Sequence, residues 1–246
     1  VNAPTTGFVP EPNPQADALG NAPVPAAPYY DAEWFEAERE AVFRRSWLNA
    51  GHVSELVEPG DYIVREIEVL GASLIIARGK DGALRAFHNV CPHRGTQLVD
   101  GPADGNGSRF SCRYHMWTFG LDGGLISAPD FERFDLEKKD CGLKTVAVDS
   151  CGGMVFVNLD PRGPAAPLRA WIGEDIASQM DGTVVATATH FSEYVYDIDA
   201  NWKLTYDNFQ ENYHLRFVHP RSGSAGLGPD NPFGYPVRYG FHGLHR

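Results

Sequence analysis

Two mixed Cys/His pairs constrain this chain more than any other feature of its 246 residues: Cys91 and His93 in Cys91-Pro92-His93-Arg94-Gly95, and Cys112 and His115 in Cys112-Arg113-Tyr114-His115. Each pair offers one thiolate and one imidazole, and His93 and Cys112 are separated by eighteen residues. Donors of this kind at this spacing point to metal. A fold that uses all four must bring two separate loops to one place.

The flanking sequence is organised for that. From Asp61 it turns to β-branched runs, Tyr62 to Val69, Ser73 to Ala77 and Leu84 to Val90, separated by Leu70-Gly71 and Gly79-Lys80-Asp81-Gly82. That is the pattern of antiparallel strands joined by tight turns. Lys144 to Val148 and Met154 to Leu159 flank Gly152-Gly153 and close a small β domain, with the metal pairs between the two sets of strands. Upstream, seven prolines in the first 28 residues make an extended arm, which holds little periodic apolar content. After Asp31, a candidate N-cap, Trp34, Phe35, Ala41 and Val42 recur at helical spacing toward Trp47. Downstream, Pro161-Arg162-Gly163-Pro164-Ala165-Ala166-Pro167 marks a domain boundary. Beyond it Leu168 to Met180 reads as a short helix, Glu193 to Ile198 alternates like a strand, and Asn201 to His214 has helical character.

Composition narrows the function classes. With 21 Lys and Arg against 32 Asp and Glu the formal charge is −11, which opposes binding to nucleic acid or an anionic membrane. No run reaches the roughly 20 apolar residues that span a bilayer. The first basic residue is Arg39, so a signal peptide's basic start is missing and a cytoplasmic location is expected. Four cysteines are too few for a disulfide scaffold. Cys141 and Cys151 fall outside the pairs and read as ordinary buried or free thiols.

A two-iron cluster takes four protein ligands, and loops approaching from opposite sides set both cysteines on one iron and both histidines on the other. Neutral imidazoles in place of thiolates then raise the reduction potential. A Cys2His2 zinc site uses the same donors, but zinc fingers usually pair cysteine with cysteine and histidine with histidine, whereas each pair here is mixed. At Cys91, His93, Cys112 and His115 the sequence resembles the Rieske family, whose Cys-x-His and Cys-x-x-His motif it matches at all four ligand positions. Phe87-His88-Asn89-Val90 and Trp117-Thr118-Phe119 are similar to the family too. Met116 departs from the small residue many relatives carry before the tryptophan.

A second constellation lies in the stretch Asn201 to His214. Glu211 and His214 are three residues apart and would share a helix face. His219 follows and precedes Pro220, which disfavours helix there and lets its side chain fold back toward His214. Two histidines with open positions suit a non-haem Fe(II) site completed by one carboxylate. This stretch is similar to the catalytic-domain signature of the large, oxygenase (alpha) subunit of the Rieske non-haem iron oxygenases, and the resemblance runs from roughly residue 30 to 220 in the expected order.

The resemblance implies an α+β chain: an N-terminal antiparallel β Rieske domain, then the start of a mixed α/β, helix-grip-like catalytic domain. The expected organisation is an arm at 1–28, a helical lead-in at 29–48, a cluster domain at 49–160 and the first part of the iron domain at 161–246. Cys91, His93, Cys112 and His115 would hold a [2Fe-2S] cluster, and His214 and His219 a mononuclear Fe(II). The third iron ligand is expected to be a carboxylate in a part of the domain this chain does not contain. Asp230, the one acid after His219, comes too early for that role, and His242 and His245 read as loop residues. Glu211 would bridge the metal centres, linking His214 of its own chain to His115 of a neighbour in a homotrimer. The implied function is that of a terminal oxygenase, which passes electrons from the cluster to Fe(II), activates O2 and hydroxylates, dihydroxylates or demethylates a small organic substrate, aromatic in the first instance. No Gly-x-Gly-x-x-Gly fingerprint opens a helix, so an NAD(P)H-dependent reductase, with or without a ferredoxin, would supply the electrons. The alternative is a ferredoxin-type carrier without catalysis of its own.

Overall fold

A computed structural model describes residues 23–101, 103–210, 215–219, 237–239 and 242–244. The chain divides into two compact units, Glu36–Val195 and a second formed from the two ends of the chain.

The first unit is built on a seven-stranded antiparallel sheet in the order β1-β10-β9-β4-β3-β2-β5. Its strands are β1 (Leu48–His52), β2 (Asp61–Ile67), β3 (Ala72–Arg78), β4 (Leu84–His88), β5 (Asp104–Asn106), β9 (Thr145–Cys151) and β10 (Met154–Asn158). The run Leu74-Ile75-Ile76-Ala77 is fully buried because both faces of β3 are covered. Alternate side chains go to opposite faces: Val64, Ile75, Ala77 and Phe87 join one apolar cluster, while Ile63, Leu74, Ile76 and Ala86 join another. Each such large aliphatic or aromatic side chain contributes about 1.5–3 kcal/mol by leaving water.

A three-stranded sheet, β6 (Arg109–Ser111), β7 (Thr118–Gly120) and β8 (Leu125–Ser127), supplies Phe110, Phe119 and Leu125 to the first cluster. Close approach is possible because Gly123 turns with φ +81 against the ring of Phe87, where any side chain would collide. The two-residue loop Gly152-Gly153 joins β9 to β10 with Cys151 opposite Met154. Its φ values of 57° and 81° are those of a type I′ turn.

The five strand runs expected from the sequence are all present. Leu168 to Met180 is two helices, Leu168–Ile172 and Glu174–Asp181, broken at Gly173 with φ 94°. Leu168, Ile172 and Ala177 pack with Trp47 and Cys151. At the far end of β1, His52 Nδ1 accepts from the Ser54 N–H, so its Nε2–H is the group that meets the Val185 carbonyl at 2.9 Å. Glu193 to Ile198, whose alternation reads as a strand, has no regular secondary structure. Alternation alone makes no strand without a neighbour to complete its hydrogen bonds.

In the second unit, the short helix Ala27–Tyr30 begins within the stretch read as an extended arm, with Pro28 in its first turn. Tyr29 donates to Asp207 at 2.7 Å, on the helix Trp202–Gln210. Asn201 caps that helix by accepting from the Lys203 N–H. Asp31 accepts from the Glu33 N–H at 2.8 Å, the expected N-cap of the helix Ala32–Ala41. That helix stops well short of Trp47, at a 3-10 turn over Phe43–Arg45. No helix among the described residues is long and apolar enough to cross a membrane.

Candidate metal centre

The four candidate ligands sit on two loops of one design. In the first, Cys91 N–H donates to the Thr96 carbonyl at 2.8 Å and Gly95 N–H to the Cys91 carbonyl at 2.9 Å. In the second, Cys112 N–H donates to the Trp117 carbonyl at 2.8 Å and Met116 N–H to the Cys112 carbonyl at 2.9 Å. The fourth residue after each cysteine is left-handed, Gly95 at φ 73° and Met116 at φ 58°. Met116, out of pattern in the sequence, therefore holds a conformation that costs a side-chain-bearing residue about 1–2 kcal/mol.

These frames bring the pairs together. The imidazoles of His93 and His115 lie with centroids 4.6 Å apart at 67°. Cys91 and Cys112 are buried at 1% and 2% exposure, close enough for their sulfurs to interact. Burial is the main cause that pushes the Cys91 thiol above its ordinary pKa, and the neighbouring Cys112 adds to it. Burial also lowers the pKa of His93, helped by the nearby His115 and Arg94. Cys91 and His93 thus favour their neutral forms until a cation is present. Trp117 stacks on His93 at 4.8 Å and 4°, and Phe131 and Phe134 stand edge-on to Trp117, each at 5.9 Å. His93, His115, Met116, Trp117 and Phe134 line an apolar hollow of about 630 Å³.

The donor set fits a two-iron cluster. His115 Nδ1 is buried with no hydrogen-bond partner, an atom that calls for a ligand. Among the described residues no three His, Cys, Asp or Glu side chains converge on a single ion. A tetrahedral zinc would need all four donors at one point; a [2Fe-2S] cluster needs only two on each iron.

The supports of the loops differ. The second closes a hairpin, with Ser111 paired to Thr118 across β6 and β7 and their hydroxyls 3.0 Å apart. The first runs on from β4, and the chain that returns from it over residues 97–101 is not a strand and forms no ladder with β4. Its neck is held by Asn89, which is fully buried. The amide oxygen accepts from the Leu98 and Val99 N–H groups at 3.1 and 3.0 Å. The amide nitrogen donates to the Val99 carbonyl at 2.7 Å and to Ser73 Oγ at 3.1 Å. In the sequence Asn89 stands out only as a neighbour of the motif.

The second constellation is not assembled in the described residues. Glu211 and His214 lie outside them. His219 is exposed and follows the short helix Leu215–Val218. Asp230 and His245 also lie outside, while His242 begins the short strand His242–Leu244, paired antiparallel with Val237–Tyr239.

Residues 46–147 match the family model for the Rieske [2Fe-2S] domain, and residues 185–246 that for the ring hydroxylating alpha subunit catalytic domain. The chain is similar to the carnitine monooxygenase oxygenase subunit of Acinetobacter baumannii, 36% identical over 193 residues that cover 78% of this chain and 51% of that protein. The chain joins a Rieske [2Fe-2S] domain to a ring hydroxylating alpha subunit catalytic domain, and its relatives are Rieske oxygenase subunits. The glycine betaine monooxygenase oxygenase subunit of Chromohalobacter salexigens, another Rieske oxygenase relative, is 35% identical over 82% of this chain and 44% of its own length. Among solved structures, a quaternary ammonium Rieske monooxygenase in complex with L-carnitine matches at TM-score 0.75 and 33% identity, over 87% of this chain and 60% of that one. Naphthalene 1,2-dioxygenase with indole bound matches at TM-score 0.62 and 35% identity, over 77% and 43%. The chain spans about half the length of the curated relatives it matches. Its seven- and three-stranded sheets form the β-rich Rieske domain of an α+β chain, and the residues from 185 on begin the catalytic domain. Rieske oxygenases carry a [2Fe-2S] cluster and a mononuclear non-haem iron.

Proposed function

We propose that this chain is part of a terminal oxygenase component that hydroxylates, dihydroxylates or demethylates a small organic substrate with O2. The observation that carries the reading is the paired loop frame, which sets two buried thiols and two adjoining imidazoles, one with an orphaned nitrogen, at one place. Cys91, Cys112, His93 and His115 would hold the cluster, within a part of the chain spanning about residues 49–160. His214 and His219, in the part from 161 onward, would hold the mononuclear iron. When bound, the two centres supply one-electron transfer and dioxygen activation. The residues around them orient: Trp117 stacks on His93 and fixes its plane, and Phe131 and Phe134 brace Trp117 edge-on. A carboxylate at Glu211 that accepts from an imidazole N–H of His214 and of His115 in a neighbouring chain would fix both tautomers.

Relatives named for carnitine and glycine betaine, together with naphthalene 1,2-dioxygenase, make quaternary ammonium compounds and aromatic rings the substrate classes to test. The partners proposed are an NAD(P)H-dependent reductase, with or without a ferredoxin, and two further copies of the chain in a trimer; the location proposed is the cytoplasm. The test is a single turnover of dithionite-reduced protein with O2 and L-carnitine, glycine betaine or naphthalene. Oxygenated product in step with cluster reoxidation supports the reading. Reoxidation with no product from any of these would favour the electron-carrier alternative.

A further inference from the structure

Asn89 ties the neck of the first ligand loop to the sheet with every polar capacity of its side chain used, beside one longer bond from Gln97 Nε2 to Ser73 Oγ at 3.4 Å. Oδ1 takes the N–H groups of Leu98 and Val99. Nδ2 gives to the Val99 carbonyl and to Ser73 Oγ. The Asn89 N–H adds a bond to the Ser73 carbonyl at 2.8 Å, and Ser73 Oγ is itself held by a bond to Glu66. One primary amide therefore does for residues 91–99 what the β6–β7 ladder does for residues 112–117. A main-chain ladder distributes its bonds over several residues, whereas here three bonds to the returning chain depend on one side chain.

We infer that Asn89 is a positioning residue for the iron–sulfur cluster, acting on Cys91 and His93 by fixing the return of their loop at Leu98 and Val99. The amide is required rather than a carboxyl or hydroxyl, because the site presents two donors and one carbonyl acceptor within reach of one planar group. The inference rests on the reading of Cys91 and His93 as ligands.

The experiment compares the cluster-loaded protein with its Asn89→Ala and Asn89→Asp variants and with Thr118→Val, which disturbs the neck of the other loop. Amide hydrogen exchange, the electron paramagnetic resonance spectrum of the reduced protein and the midpoint potential are read for each. Asn89→Ala is expected to speed exchange at Leu98 and Val99 by about tenfold or more, as loss of bonds to a buried partner requires. Exchange at residues 112–117 should stay unchanged, the spectrum should broaden and the midpoint potential should move. Asn89→Asp keeps both acceptors but sets a carboxylate oxygen against the Val99 carbonyl, so exchange at Leu98 and Val99 should stay faster than in the unaltered protein. Thr118→Val should leave residues 91–99 as they are. Equal loosening of both loops, or an Asn89→Ala protein with unchanged spectrum and potential, would overturn the inference. If Asn89→Ala yields no folded protein, Ser73→Ala decides: faster exchange confined to residues 89–99 supports it, and none overturns it. Failure of the ligand reading is separately visible, as an unaltered protein without acid-labile sulfide.

Discussion

Loops 91–96 and 112–117 close on the same pair of main-chain bonds and use a left-handed residue at the same place, yet one stands on a hairpin and the other on Asn89. At the second, Ser111 and Thr118 are paired across neighbouring strands. At the first, the chain beyond the ligands returns past β3 and β4 without joining them, and the amide of Asn89 takes the place of the missing ladder. Equal ligand geometry can thus be reached from unequal supports. The support, more than the ligand motif, decides where each loop is vulnerable.

The largest effect should come where the loops are equal. Cys91→Ser and Cys112→Ser, made separately, should each drop cluster iron and acid-labile sulfide from about two per chain to near zero, because neither loop alone completes the donor set. Retention of cluster in either variant would break the equivalence. Next comes the residue that joins the loops: Trp117 belongs to the second but stacks on the histidine of the first. Trp117→Ala should cost about 3–5 kcal/mol by denaturant unfolding and alter the cluster spectrum.

Smaller effects probe the left-handed position. A Cβ added at Gly95 meets nothing within 4 Å, so Gly95→Ala should lower stability by only the backbone cost, about 1 kcal/mol. Met116→Gly should act in the opposite direction, raising stability by up to about 1 kcal/mol in the same unfolding assay, since Met116 is 56% exposed and has little packing to lose. If both substitutions shift stability the same way, the shared turn geometry is not what sets the cost.

Much of this site was legible in the sequence because its signal is local. The ligands lie within a few residues of each other in each pair, and the longer strands announce themselves by β-branched runs. Strands of three residues, such as Arg109–Ser111 and Thr118–Gly120, carry too little periodicity to be read. β1 was missed because Leu48-Asn49-Ala50-Gly51-His52 lacks β-branched residues and contains a register shift between Asn49 and Gly51. Asn89 could not be singled out, since its role depends on where residues 98 and 99 return, a non-local fact. The left-handed turn at Met116 has no sequence mark at all, as methionine does not favour it. Glu193 to Ile198 misleads for the converse reason: the alternation is there, but no strand pairs with it among the described residues.

The most direct test of the central claim is iron and acid-labile sulfide per chain, measured together with the electron paramagnetic resonance spectrum after dithionite reduction. The account predicts about two cluster irons with two sulfides and a Rieske-type signal. Zinc in place of iron, with no sulfide and no signal, would contradict it.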